Sequence, residues 1–262
     1  MGVIEDTPNY RTIRVAEHRG VITIQLFRPE FDNSINDILI NEILNVLTNA
    51  EQNKSIKVII LEGNDRVFCT GMDFNAVNSV NANSGINNNP NDYYNMLKFI
   101  TSCSKIIITK VKGKVNAGGI GLIASSDIVL ADDNATFSLS EALFGLLPAC
   151  VMPFLIRRIG FQKAQWMALT TQYISCQRAY QIGLVDEKGS DINDLIRRNL
   201  IRLNRLETQT IMDLKDYMSK LWIINDKTQE LAVNRITTLL NSERIQDNIN
   251  NFVQKNRFPW QK

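Results

Sequence analysis

The chain has 262 residues, of which 44% are hydrophobic and 21% charged, and its formal net charge is +2. This length suits one large α/β domain with a small helical appendage, and this composition is ordinary for a globular protein. The small net charge argues against nucleic acid or a membrane surface as the main partner. Because no apolar run reaches the roughly 18 residues that span a bilayer and no signal peptide is apparent, a cytoplasmic location is expected.

The cysteines and the single histidine exclude several kinds of chemistry. Cys69, Cys103, Cys150 and Cys176 are widely spaced and form no CxxC pair. This spacing matches no zinc site, so buried, reduced thiols and no metal are expected. The one histidine, His18, falls in a predicted hairpin turn, which makes Ser–His or Cys–His catalysis improbable. Carboxylates or backbone amides must therefore carry any chemistry.

Strands and helices alternate in the N-terminal part of the chain. Apolar patterning predicts strands over residues 11–16 and 21–27 around a turn at 17–20, then a helix over 35–49 capped by Ser34. The alternation continues with strands over 57–61, 106–111 and 127–130 and helices over 92–103 and 118–125. Residues 75–92, rich in Asn, Ser and Gly, are predicted to form a surface loop. Such alternation implies crossover units and an α/β fold.

The C-terminal part has a different pattern. From Val151 onward every predicted element is a helix, over residues 151–159, 162–169, 175–182, 191–206, 208–222, 228–240 and 245–256. No linker composition separates the two parts. The predicted organisation is therefore an α/β core over residues 1–190 followed by a helical region over residues 191–262.

Two glycine-containing segments could present bare backbone amides to a ligand. In residues 68–74 (FCTGMDF), Gly71 can turn the backbone at the end of a strand and leave the next N–H pointing into a cleft. In residues 111–121 (VKGKVNAGGIG), three glycines open a helix, whose N-terminus adds positive potential. Their spacing fits neither a phosphate loop nor a dinucleotide fingerprint. A plain strand exit and a tightly packed strand–helix junction are the structural alternatives.

A third segment supplies a carboxylate. Glu141 is the one acidic residue in the apolar run of residues 137–148 (FSLSEALFGLLP). Desolvation by such neighbours would raise its pKa toward the range useful for proton transfer. The alternative is that Glu141 caps a helix or forms a salt bridge at a helix edge.

In this order and spacing, the three segments resemble the signatures of the crotonase (enoyl-CoA hydratase/isomerase) superfamily. The resemblance takes in residues 26–29 (LFRP) and 178–186 (RAYQIGLVD) and covers the chain from about Arg11 to Asp186. It implies a crotonase-type spiral of ββα units, with a helical C-terminal region for active-site cover and oligomerisation as a trimer or hexamer. It also implies a thioester substrate carried on phosphopantetheine or CoA, without a further cofactor.

Carried over position by position, the resemblance assigns roles to three residues and leaves one family position without its side chain. The two oxyanion-hole donors fall on the backbone N–H groups of Met72 and Gly118, and the second of the hydratases' two catalytic glutamates falls on Glu141. The first glutamate falls on Gly121, which leaves a one-carboxylate site, as in the family's isomerases and some dehydratases.

Four further side chains are candidate substrate contacts: Asp73, Asn116, Cys150 and Arg28. Two of them have a structural alternative. Asp73 could instead hydrogen-bond the turn after Gly71, and Asn116 could make a structural hydrogen bond instead of contacting a substrate hydroxyl or carboxylate. Cys150 is expected to be a small residue of the pocket wall.

A narrower resemblance concerns the reaction. Residues 113–119 (GKVNAGG), 137–141 (FSLSE), 147–150 (LPAC), 154–160 (FLIRRIG) and 257–260 (RFPW) resemble the dehydratase of polyketide β-branching cassettes. Such enzymes convert 3-hydroxy-3-methylglutaryl on an acyl carrier protein to 3-methylglutaconyl. Arginines at 157–158 and 197–205 would suit an acidic carrier protein if they lie at the pocket mouth, and are otherwise solvated faces.

Two rival functions are also compatible with this sequence. A single-glutamate Δ3,Δ2-enoyl-CoA isomerase would use Glu141 to move one proton between C2 and C4 of a substrate without a 3-hydroxyl. A non-catalytic docking module for acyl carrier proteins would not need Glu141, and the presence of that residue disfavours it.

Overall fold

The computed structural model describes residues 10–73, 89–221 and 224–261. Its strands are β1 (Ile13–His18), β2 (Val21–Leu26), β3 (Val58–Glu62), β4 (Val67–Cys69), β5 (Ile106–Val111), β6 (Lys114–Asn116), β7 (Ile128–Asp132), β8 (Thr136–Ser138), β9 (Ile174–Ser175) and β10 (Glu187–Gly189). Its α-helices are α1 (Asp37–Gln52), α2 (Pro90–Ser102), α3 (Gly118–Ser125), α4 (Met152–Ile159), α5 (Phe161–Thr170), α6 (Cys176–Gln181), α7 (Ile192–Leu203), α8 (Thr208–Lys220), α9 (Asp226–Leu240) and α10 (Glu243–Lys255). Single 3₁₀ turns lie at Pro29–Phe31 and Glu141–Phe144.

The larger sheet has the strand order β1-β2-β3-β5-β7-β10. Only the β1–β2 pair in it is antiparallel. The central strands are near-continuous apolar runs because both faces of a parallel sheet are covered. Helices α1 and α2 pack against one face within the main core. On the other face Ile192, Leu195 and Ile211 pack against Val58 and Leu130. The predicted α/β class is confirmed.

The smaller sheet has the order β4-β6-β8-β9, and its first three strands are parallel. Because parallel strands point the same way, the carboxyl ends of β4, β6 and β8 lie side by side at one edge. Gly71, Gly118 and Glu141 each follow one of these strands within three residues. This sheet therefore brings the three sequence segments together.

Several predicted boundaries were wrong in ways that have simple physical causes. Asn36, not Ser34, caps α1, because its side chain accepts a hydrogen bond from the Leu39 N–H at 2.9 Å. His18 is the last residue of β1 and pairs with Val21, so a two-residue turn replaces the predicted four-residue one. Of the predicted loop over residues 75–92, residues 75–88 lie outside the described residues, whereas α2 already begins at Pro90.

The prediction of helices alone after Val151 was also wrong. The strands β9 and β10 lie in this part, but with two and three residues they are too short to show a period-two pattern. The helices themselves are present, although Trp222, predicted to end one of them, lies outside the described residues. None of the helices in the described ranges is long and apolar enough to cross a membrane. The division of the chain at residue 190 stays a prediction.

Candidate active site

A cavity of about 710 Å³ opens at the shared edge of β4, β6 and β8. The predicted site residues Met72, Asp73, Asn116, Gly118, Glu141 and Cys150 all contribute to its lining. From the C-terminal region, α9 and α10 contribute apolar side chains to the same lining, namely Ile236, Leu240, Phe252 and Val253. The cavity thus combines a polar floor with an apolar cover, as small-molecule sites commonly do.

The turn at Gly71 packs directly on the start of α3. Gly71 has φ of 95°, and a Cβ there would lie 2.6 Å from the Ala117 Cβ and 3.0 Å from the Gly118 nitrogen. Only glycine permits both this backbone conformation and this close approach. The contact brings the backbone of residues 71–72 next to the Gly118 amide.

Hydrogen bonds to Ile35 fix the direction of the Met72 amide. The Ile35 N–H donates to the Gly71 carbonyl at 2.7 Å, and the Asp73 N–H donates to the Ile35 carbonyl at 2.9 Å. In extended backbone the intervening residue points its N–H to the opposite side. The Met72 N–H therefore faces away from Ile35.

The Gly118 amide begins helix α3. N–H groups of a first helical turn have no partner within the helix, and the helix dipole makes them favourable sites for negative charge. The preceding Ala117 has φ of 49° and ψ of −120°, an uncommon conformation for a residue with a side chain. Such strain is concentrated at functional sites in folded proteins. The two amides predicted from the sequence are thus neighbours at the cavity.

Glu141 is the first residue of the 3₁₀ turn that follows β8. Its Oε2 atom is buried and has no hydrogen-bond partner among the described residues. Burial raises the pKa of this carboxyl to about 7, against an ordinary value of 4.5. A group with a pKa near neutrality can both accept and return a proton under physiological conditions.

Asn116 connects the floor of the cavity to the turn of Glu141. The Ser138 hydroxyl donates to Asn116 Oδ1 at 2.7 Å, and Asn116 Nδ2 donates to the Ser140 hydroxyl at 2.8 Å. Ser140 directly precedes Glu141, so these hydrogen bonds hold the backbone from which the Glu141 side chain extends. The structural hydrogen bond considered for Asn116 is therefore present, and its contact with substrate stays a prediction.

Arg28 and Asp73 form a buried ion pair at 2.8 Å. Arg28 also donates to the backbone carbonyl of Ser34 and, at 3.1 Å, to its hydroxyl. The pair ties the loop after β2 to the residue next to Met72. Asp73 lines the cavity, whereas Arg28 is not part of the described lining. This placement suits support of the Met72 amide, and the predicted substrate contacts of both residues stay untested.

The four cysteines are buried and free. Among them, Cys150 lies in the cavity wall, where burial raises the pKa of its thiol to about 12. Burial likewise raises the pKa of Cys69 to about 12. Both remain protonated at neutral pH, which disfavours a nucleophilic role.

Two of the lining residues that the sequence did not reveal bear on the chemistry of the site. Tyr93 on α2 donates from its hydroxyl to the Gly118 carbonyl at 2.5 Å. Lys114 on β6 is the single basic residue in the described part of the lining, and its ammonium lies 5.4 Å from the centre of the Tyr173 ring. The period-two pattern of a strand could have revealed Lys114, since it shares a face with Asn116. Nothing local signals Tyr93, because it comes from a distant segment.

The arginine clusters are placed differently from one another. Arg158 donates to the carbonyls of Ser126 and Leu184 and pairs with Asp186, so the description of residues 157–158 as a solvated face was wrong. Arg197 and Arg198 are exposed, and both pair with Asp194. None of these arginines belongs to the described lining.

Over most of its length the chain is similar to proteins of the enoyl-CoA hydratase/isomerase family. A model of the enoyl-CoA hydratase/isomerase family matches residues 16–262. The bacillaene synthase dehydratase PksH of Bacillus subtilis is 39% identical over 257 residues, which is 98% of this chain and 99% of that protein. The 2,3-dehydroadipyl-CoA hydratase of Escherichia coli is 31% identical over 174 residues, which is 66% of this chain and 67% of that protein.

Solved structures of enoyl-CoA hydratases have the same fold as this chain. The crystal structure of the polyketide biosynthesis enoyl-CoA hydratase PksH from Bacillus subtilis matches with a TM-score of 0.91 at 39% identity, covering 96% of this chain and 100% of that one. An enoyl-CoA hydratase from Shewanella pealeana matches with a TM-score of 0.76 at 26% identity, covering 96% and 97% of the two chains.

Proposed function

The chain belongs to the enoyl-CoA hydratase/isomerase family, and on this premise we propose that it dehydrates 3-hydroxy-3-methylglutaryl on an acyl carrier protein to 3-methylglutaconyl. The family and the structural matches confirm the crotonase-type fold. One observation carries the proposal: the cavity places two backbone amides and a single carboxylate with a raised pKa at one strand edge.

The proposed mechanism begins at the thioester carbonyl. The Met72 and Gly118 N–H groups bind its oxygen and stabilise the enolate that forms when C2 loses a proton, an effect of about 3 kcal/mol for each such donor. Glu141 accepts that proton as a carboxylate. As the acid it has then become, it returns the proton to the 3-hydroxyl on the same face, and water leaves. One carboxylate is enough because the two proton transfers occur in sequence.

The described lining supports an acyl group that ends in a carboxylate. Lys114 is its single basic residue, and a carboxylate at the distal end of the acyl chain would give this lysine an ionic partner. Asn116, two residues further on the same strand face, also lines this cavity. The ordinary fatty acyl substrate of a Δ3,Δ2-enoyl isomerase has no distal carboxylate that could form such an ion pair.

The proposed context is polyketide biosynthesis on a carrier protein. The relative that matches this chain almost end to end is named a bacillaene synthase dehydratase, and this name supports both the reaction class and the pathway type. Binding of an acidic carrier protein would use the exposed Arg197 and Arg198. Because each already pairs with Asp194, the docking contribution is expected to be modest and sensitive to salt.

A homotrimer or a dimer of trimers is proposed for the assembly. Leu214, Tyr217, Met218 and Leu221 are exposed and recur at the spacing of one helix face along and just beyond α8. A contiguous apolar face of this kind is typical of a surface that another protein chain covers. Light scattering measures the assembly directly, and a monomeric protein would contradict the proposal.

Mass spectrometry of the loaded carrier protein tests the reaction. After incubation with the enzyme, 3-hydroxy-3-methylglutaryl carrier protein should lose one water and keep its carboxylate. No change in mass, or loss of carbon dioxide as the first event, would refute the proposed function. The matched CoA thioester is the second arm: carrier-bound substrate should have the higher kcat/KM, and the difference should shrink as salt is raised.

A further inference from the structure

The position that lacks a glutamate is filled by a hydroxyl. A Cβ added at Gly121 would lie 2.1 Å from the Tyr93 hydroxyl oxygen and 3.0 Å from the Leu97 Cδ1. The first contact is too short for any side chain and the second is tight, so a residue larger than glycine at position 121 would displace Tyr93. Gly121 and Tyr93 therefore form one unit, in which the tyrosine on α2 supplies the polar atom that residue 121 does not.

The proton of that hydroxyl already has an acceptor. Tyr93 donates to the Gly118 carbonyl at 2.5 Å, and its ring is buried. Burial raises the pKa of Tyr93 well above its usual 10, and the nearby Cys69, Cys150 and Glu141 raise it further. Tyr93 therefore stays protonated and cannot act as a base. Tyr93 lines the cavity, and its protonated oxygen retains lone pairs that can only accept a hydrogen bond.

We propose that Tyr93 binds the substrate's 3-hydroxyl group, accepting a hydrogen bond from it and orienting it for protonation by Glu141. This inference rests on the proposed dehydration. A hydroxyl that donates to Tyr93 presents its own lone pairs elsewhere, and it becomes more basic because it donates. Glu141 transfers to it the proton taken from C2, the C3–O bond breaks with its electrons on oxygen, and the enolate electrons form the C2–C3 double bond. Water leaves and Glu141 is again a carboxylate.

Tyr93→Phe removes the hydroxyl and keeps the ring, and Tyr94→Phe is the matched control. Tyr94 is the next residue on α2; it is fully buried, packs against Phe154 with ring centres 5.2 Å apart, and its hydroxyl has no partner among the described residues. The control loses the same atom from the same helix at a place outside the described lining. Tyr94→Phe therefore shows how activity responds to the loss of a buried hydroxyl from α2 when no hydrogen bond is lost with it.

Two reactions separate substrate orientation from support of the Gly118 peptide. The first is dehydration of the 3-hydroxy-3-methylglutaryl thioester, where Tyr93→Phe should lower kcat about 10- to 100-fold, the range for losing a hydrogen bond to a group that gains charge. The second is exchange of the C2 proton of the 3-methylglutaryl thioester in deuterated water. That substrate has no 3-hydroxyl, so its exchange rate should stay within about threefold of wild type.

The possible outcomes are distinct. Equal losses in both reactions would mean that Tyr93 only holds the oxyanion hole, and no loss in either would mean that its hydroxyl has no role; each result overturns the inference alone. A wild-type enzyme that exchanges the C2 proton but forms no enoyl product refutes the proposed dehydration and the tyrosine's role with it. Loss of dehydration alone, with Tyr94→Phe active in both reactions, supports the inference.

Discussion

Replacing Glu141 by glutamine should inactivate the enzyme and, above neutral pH, stabilise its fold. The carboxyl is buried, its Oε2 atom lacks a partner among the described residues, and its pKa is raised to about 7. The folded protein therefore binds this proton more tightly than the unfolded chain does. Stability is lost as the pH rises from the unfolded value near 4.5 through about 7, because the folded state must then hold a buried negative charge.

The two pKa values give the size of the effect. Each pH unit between them corresponds to about 1.4 kcal/mol, so ionised Glu141 costs the folded state roughly 3 kcal/mol at about pH 8 and roughly 1 kcal/mol at about pH 5. Glutamine has nearly the same shape and stays neutral throughout. Glu141→Gln should thus raise the free energy of unfolding by about 2–3 kcal/mol at pH 8 and by less than about 1 kcal/mol at pH 5.

Urea denaturation followed by tryptophan fluorescence measures this difference. All samples need the same protomer concentration, because assembly couples to unfolding. The exposed Glu230, changed to glutamine, is the control and should leave stability unchanged at both pH values.

Activity supplies the second half of the test. Turnover by Glu141→Gln should fall about 10²–10⁴-fold, the usual contribution of a positioned proton-transfer group. The wild-type kcat/KM should rise with pH with an apparent pKa near 7, since Glu141 must be ionised to accept the C2 proton. A variant whose stability matches wild type at both pH values would show that the carboxyl is solvated. Activity within a few-fold of wild type in a folded oligomer would exclude Glu141 as the acid–base group.

Two further substitutions test the floor of the cavity. Gly121→Ala places a Cβ 2.1 Å from the Tyr93 hydroxyl and should destabilise the protein by about 1–3 kcal/mol, as overpacking does. Adding Tyr93→Phe should recover part of that loss of stability. A double variant that is no more stable than Gly121→Ala in urea denaturation would contradict the contact. Lys114→Met should raise KM about tenfold or more for a thioester that ends in a carboxylate and leave KM for its methyl ester unchanged, because a charge-assisted hydrogen bond is lost only with the former. Lys112→Met is the control, since Lys112 pairs with Asp65 outside this cavity. If Lys114→Met changed the KM of the carboxylate substrate and of its methyl ester equally, Lys114 would be excluded as the carboxylate partner.

The segments that carry the proposed chemistry could be identified from the amino-acid sequence. Gly71, the glycines at the start of α3 and Glu141 could be found because their signals are local: a backbone that must turn, amides that a helix start leaves unpaired, and one carboxylate in an apolar run. The helix and strand pattern likewise predicted an α/β fold, because β1, β2, β3, β5 and β7 of the larger sheet are long enough to be recognised as strands from their apolar residues. The order and spacing of these signals led to the family that the comparisons confirm.

How those segments meet in space could be seen only in the folded protein. Strands β4, β6 and β8 have three residues each, too few for a periodic signal, yet their parallel pairing sets Met72, Gly118 and Glu141 at one edge. The apolar run around Glu141 predicted that its pKa would be raised, but the size of that shift depends on how many atoms surround the carboxyl in the fold. The contact between Tyr93 and Gly121 joins residues 28 positions apart on two helices. In the sequence, Gly121 indicates only that one catalytic glutamate of the family is absent. In the folded protein, the Tyr93 hydroxyl lies where a side chain at position 121 would begin.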